Sequence, residues 1–96
     1  MIAVQDAFSP TYAQARIKFL EAAATAGMAI RSHEHPLKGR EGETLAMDLA
    51  LDGPADPDKL LIVSSACHGA EGFCGPGVQV FAAHDAEWRA KARDAG

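Results

Sequence analysis

The sequence has too little cysteine for a disulfide scaffold, no block of basic charge and no apolar run long enough to cross a membrane. Its two cysteines, Cys67 and Cys74, flank a glycine-rich stretch. A small secreted domain held by disulfides would carry more, so both thiols are expected to be reduced. Acidic and basic residues are interspersed and the net charge is −4. Nucleic acid and anionic membrane both call for a basic patch, so neither is the expected partner. No stretch approaches the roughly 18 apolar residues of a membrane span. The opening, Met1-Ile2-Ala3-Val4-Gln5-Asp6, lacks the basic region and long apolar core of a signal peptide. These absences predict a cytoplasmic protein. There is also no internal repeat and no low-complexity tract.

What is present fits one small globular domain. Ninety-six residues with 48% apolar content make at most one domain, of modest expected stability. Ser9-Pro10 predicts a helix start, with Ser as N-cap and Pro at the first helical position. Ala13, Ile17, Leu20 and Ala24 form the expected apolar stripe, widened by Tyr12, Phe19 and Ala23, leaving Arg16, Lys18 and Glu21 to solvent. Gly27 sits where a glycine ends a helix. Met28 to His35 reads as a strand stopped by Pro36, and residues 37–43 as a loop. Thr44 to Leu51 alternates, with Leu45, Met47, Leu49 and Leu51 on the face expected to be buried. The two strands predict an antiparallel hairpin. A connector follows. The continuous apolar run Leu60 to Val63 then suits a central strand covered on both faces. After the glycine-rich turn from Gly69 to Gly77, a helix is expected from Val78, and Asp85 caps or continues it through Trp88 to Arg93. The fold class is therefore α/β: helix, antiparallel hairpin, central strand, glycine-rich turn, helix.

The chemistry is concentrated in Ser64-Ser65-Ala66-Cys67-His68-Gly69-Ala70-Glu71-Gly72-Phe73-Cys74-Gly75-Pro76-Gly77. In open α/β sheets, ligands bind beyond the carboxyl ends of the strands, which is where His68 falls. Glu71 follows three residues later, in a turn that Gly69 and Gly72 permit. An imidazole and a carboxylate so close in the chain can converge on one cation, and catalytic zinc often takes two His, one Glu and a water. Taken alone, His-x-x-Glu also describes a surface histidine near a solvated glutamate.

The wider pattern is more specific. His68-Gly69-Ala70-Glu71-Gly72-Phe73, followed by Gly75, Gly77 and Gln79, resembles the first zinc-binding motif of M14-type metallocarboxypeptidases. Within these it is most similar to a bacterial branch known as DUF2817. Phe8-Ser9-Pro10-Thr11-Tyr12, Ala15-Arg16, Phe19-Leu20, His35-Pro36-Leu37-Lys38-Gly39 and Gly42 extend the resemblance over nearly the whole chain. It implies that His68 and Glu71 are zinc ligands, that the fold is part of a three-layer α/β/α domain around a mixed sheet, and that the substrate is a peptide or acyl-amino acid with a free carboxylate. It also implies a second histidine ligand, substrate-binding arginines and a glutamate general base. His33, His35 and His84 do not match that second ligand. The resemblance thus leads one to expect residues 1–96 to be the N-terminal portion of the domain, inert on their own and prone to self-association through exposed sheet edge and apolar surface.

Other readings compete. His33 and His35 share a strand face and could bind metal, but a solvent-facing pair beside a turn is the better reading. His84 could contribute from its helix. Cys67 reads as a small buried thiol, and Cys74 as a residue that could line the site. Ser64 and Ser65 lack the Gly-x-Ser-x-Gly elbow of a serine hydrolase. Gly69, Gly72, Gly75 and Gly77 could form an anion loop, although neither a P-loop nor the dinucleotide fingerprint is present. Phe73, Val78, Val80, Phe81 and Trp88 are expected in a core or interface. A non-catalytic α/β module that self-associates or binds a small anion is the alternative to a zinc hydrolase.

Overall fold

The computed structural model describes residues 2–66 and 74–95. A short 3-10 turn, Val4–Ala7, leads into helix α1, Tyr12–Thr25. Strands β1, Ala29–Lys38, and β2, Thr44–Leu51, form an antiparallel pair. Helices α2, Cys74–His84, and α3, Ala86–Asp94, follow. The architecture is mixed α/β, as the sequence pattern implied. None of the described helices is long and apolar enough to cross a membrane.

Local signals explain the boundaries. The cap of α1 is Thr11 rather than Ser9: Thr11 is extended, and its hydroxyl accepts from the Gln14 N–H at 3.2 Å. Pro10 therefore precedes the cap instead of opening the helix. At the other end Gly27 adopts φ +78°. Its N–H donates to Ala24 O, and the Met28 N–H donates to Ala23 O. These two bonds satisfy carbonyls the last turn leaves open, and the left-handed backbone at residue 27 is what lets the chain reach them. Pro36 does not stop β1. The register jumps from Glu34↔Ala46 to Lys38↔Thr44, and this irregularity accommodates a residue without an N–H to donate. Asp85 caps α3, accepting from the Trp88 N–H at 3.0 Å.

The hairpin buries the opposite face from the one its alternation predicts. Arg16 on α1 makes a two-pronged pair with Asp48, at 2.8 Å and 3.2 Å. The Ser32 hydroxyl donates to the same carboxylate. Asp48 and its cross-strand partner Ser32 thus look toward α1, together with Ala46 and Ala50 by alternation. Met47, Leu49 and Leu51 look away and are 65%, 39% and 49% exposed. One helix can cover only one side of a two-stranded sheet. Small alanines let α1 approach, and the guanidinium–carboxylate pair selects the side. The same rotation corrects α1: Ile17 is exposed, Ala22 and Ala23 are buried, and Arg16 and Lys18 are both engaged. The Lys18 ammonium donates to Asp6 O and Phe8 O.

Tyr12 closes part of the outer edge of β2. Its hydroxyl donates to Ala46 O at 3.1 Å and accepts from Ala46 N at 2.9 Å. Those backbone groups therefore point away from β1, and a side chain from α1 satisfies both. Blocking an edge in this way hinders pairing with another chain. The core sits on the far side of α1, where Ala7, Ala22 and Val80 are buried with Phe19 and Phe81 packed against them. Asp52, just after β2, pairs with Arg89 and Arg93 and so ties α3 to the hairpin.

Candidate functional site

Residues 52–66 form no regular element. The run Leu60 to Val63, which has the composition of a covered strand, joins no ladder among the described residues, and Ile62 is 76% exposed. Apolar composition alone does not make a strand. The N–H and C=O groups need a neighbouring strand, and β1 and β2 pair with each other. What holds this segment is polar. The Gln79 side-chain amide on α2 donates to Val63 O at 2.8 Å and accepts from the Ser65 hydroxyl at 2.8 Å. Ala66 then has φ +61°, a left-handed backbone that costs a residue with a Cβ on the order of 1 kcal/mol.

The chain is described again from Cys74, where α2 begins, four residues earlier than the Val78 start the sequence implied. Pro76 falls in the first turn, where a missing N–H costs no helical bond. Gly75 packs against Ser65 so closely that a Cβ there would overlap the Ser65 Cβ. Gly75 and Gln79 are four apart on one helix face, and both meet the segment 63–65. Gly77, buried on another side, is covered by the Phe8 ring. Thus two of the glycines expected in a turn are helical contact points where other chain segments press against the backbone.

His68 and Glu71, the two residues expected to bind metal, lie outside the described residues, as do Cys67 and Phe73. The flanks of their segment, at Ser65 and Gly75, are in contact. The remaining histidines sit elsewhere. His84 ends α2, about 15 Å along the axis from Cys74 at 1.5 Å per residue. It lines a cavity of about 200 Å³ with Asp6, Lys18 and Glu21. His33 and His35 border an open depression of about 400 Å³ beside Tyr12 and Met47. The Nδ1 of His35 accepts the Leu37 N–H at 3.0 Å. In the neutral ring the proton is then on Nε2, which leaves no lone pair for a metal. Among the described residues no three His, Cys, Asp or Glu side chains converge on a common point. The free thiol of Cys74 is exposed. The roles of Gln79 and Ser65 are not evident from residue type. Their sequence signals are the place of Gln79 in the motif that follows His68 and its i, i+4 spacing from Gly75.

No curated protein and no solved structure gives a match. The family model described as "Protein of unknown function (DUF2817)" matches residues 8–96, from the turn before α1 through the glycine-rich segment to the end of α3, so the chain belongs to the DUF2817 family.

Proposed function

We propose that this chain supplies His68 and Glu71 as ligands of a zinc site in a hydrolase that cleaves amide bonds of peptides or acyl-amino acids. The spacing His68-x-x-Glu71 among Gly69 and Gly72 carries the reading, because it offers a neutral imidazole and an ionised carboxylate near pH 7. Family membership spans this segment without assigning an activity. The tied flanks at Val63, Ser65 and Gly75 support it, since a site on a held segment loses less entropy on binding a cation. When bound, zinc would polarise the scissile carbonyl and activate a water. The donor types fit zinc, but two ligands fall short of the three a catalytic site uses. Of the described histidines, His35 has its Nδ1 lone pair engaged by the Leu37 N–H.

Zinc titration of the chain, followed calorimetrically, tests this. Weak binding is expected, with most of it lost in His68→Ala and in Glu71→Ala and all of it kept in His84→Ala. Binding that survives both of the first two substitutions, or none in the parent chain, would overturn the assignment. A second reading, a non-catalytic α/β module that self-associates, is favoured by the exposed Met47, Leu49 and Leu51 face and by the exposed run Leu60 to Val63.

A further inference from the structure

We infer that Gln79 is a positioning residue, whose side-chain amide fixes where the chain enters the His68-to-Glu71 segment relative to where α2 begins. Two separate observations place it there. The first is the pair of bonds to Val63 O and from the Ser65 hydroxyl, each at 2.8 Å. The second is the contact of Ser65 with Gly75, one helical turn before Gln79, where no Cβ fits. One strip of α2 therefore grips the segment both by hydrogen bonding and by steric fit.

The chemistry calls for an amide at position 79. The Val63 carbonyl can only accept, so a donor must face it, and the Ser65 hydroxyl donates to the acceptor beside it. A side-chain amide presents a donor and an acceptor together. A carboxylate offers only acceptors and an ammonium only donors. The carbonyl also fixes which way the amide is turned, nitrogen toward Val63 and oxygen toward Ser65. Gln79 and its bond from Ser65 are partly buried, while the bond to Val63 O lies at the surface. The positive φ of Ala66 lies just beyond the tie. A strained residue persists where its surroundings over-determine it, and Gln79 with Gly75 supplies that constraint.

The consequence for metal binding rests on the zinc reading above, whereas the tie does not, and the two are tested separately in the full chain. Limited proteolysis within residues 60–66 reports the tie, since cleavage there requires the segment to open, with cleavage in β1 as internal control. Loss of one net hydrogen bond corresponds to roughly a fivefold change in local opening. Gln79→Ala should accelerate cleavage there by about that factor or more, leaving β1 within twofold. Gln79→Glu, which keeps the acceptor for Ser65 and loses the donor to Val63, should also accelerate it. Should Gln79→Ala fail to fold, Ser65→Ala removes the bond to Gln79 and Gly75→Ala pushes the segments apart with Gln79 intact, and each should accelerate the same cleavage. Unchanged cleavage in the folded variants overturns the tie. Titration with zinc alone gives the second readout, in which Gln79→Ala should weaken binding by a similar factor. Accelerated cleavage with unaltered zinc affinity overturns the positioning role. A parent chain that binds no zinc sinks the metal reading, and the proteolysis experiment still decides whether Gln79 holds the segment.

Discussion

The Arg16–Asp48–Ser32 group decides which face of the hairpin meets α1, so replacing Asp48 by Ala should cost far more than an ordinary surface substitution. Arg16 reaches the carboxylate with Nε at 2.8 Å and a terminal nitrogen at 3.2 Å. Side-chain exposure is 21% for Arg16 and 9% for Asp48. The pair thus lies between exposed bridges, worth about 0–1 kcal/mol, and buried ones, whose disruption costs about 3–5 kcal/mol. A loss of about 2 kcal/mol follows, or roughly 10 °C in Tm for a domain of this size. The pH dependence provides the sharper check. Burial alone would raise the Asp48 carboxyl, but the hydrogen bonds from Arg16 and Ser32 and the nearby positive charge outweigh it and hold the group below its ordinary value of 3.8. A depressed carboxyl stabilises the fold above its unfolded pKa, and that contribution fades as pH falls through the folded value. The gap in stability between the parent and Asp48→Ala should therefore be constant near neutrality and close below about pH 4. Urea unfolding at a series of pH values measures it. A gap under about 0.5 kcal/mol at pH 7, the range of featureless surface sites, or one that persists undiminished at pH 3, would refute the assignment.

Tyr12→Phe leaves the N–H and C=O of Ala46 without their shared partner on the outer edge of β2; about 1–2 kcal/mol should be lost in denaturant titration, with more self-association on size exclusion. Gly77→Ala sets a methyl against the Phe8 ring where no space exists, and thermal unfolding should show a loss of about 1–3 kcal/mol. Its companion Gly77→Ala/Phe8→Leu should recover part of that. Met47→Lys, on the open face of the sheet, should change stability by less than about 0.5 kcal/mol. It should also shift any dimer seen by analytical ultracentrifugation toward monomer, and an unaffected dimer would show that this face is not the contact.

Ladders and helices were largely legible in the sequence because their signals are local. Thr44 to Leu51 alternates and forms a strand with those bounds; Gly27 ends α1 with positive φ; Asp85 caps α3. Which face of each element is covered was not legible, because it depends on a neighbour far along the chain. The leucines of β2 outweigh Ala46, Asp48 and Ala50 in hydrophobicity. Yet the carboxylate of Asp48 and the backbone of Ala46 have partners on α1 that the apolar face lacks. A polar pair with good geometry and two small alanines can thus orient a helix against the apparent amphipathic pattern. Periodicity gives the period, and only tertiary contact gives the phase.

The same limit applies at the candidate site. A glycine-rich stretch reads as a turn because glycine tolerates unusual backbone angles, but glycine serves equally where another segment presses close. Gly75 and Gly77 are of the second kind, lying inside α2 against Ser65 and Phe8. Helical periodicity carries the distinction: Gly75 and Gln79 share a face, and that face meets the polar segment 63–65. The apolar run Leu60 to Val63 points the other way as a caution. Its composition suits a covered strand, but a strand is a relation between two segments, and here the Gln79 amide and the close Ser65–Gly75 contact hold the segment against α2. The functional reading consequently depends less on the sheet than on α2. If His68 and Glu71 act together on a cation, the helix face bearing Gly75 and Gln79 governs the two ends of their segment. Substitutions on that face should alter metal affinity without touching either ligand.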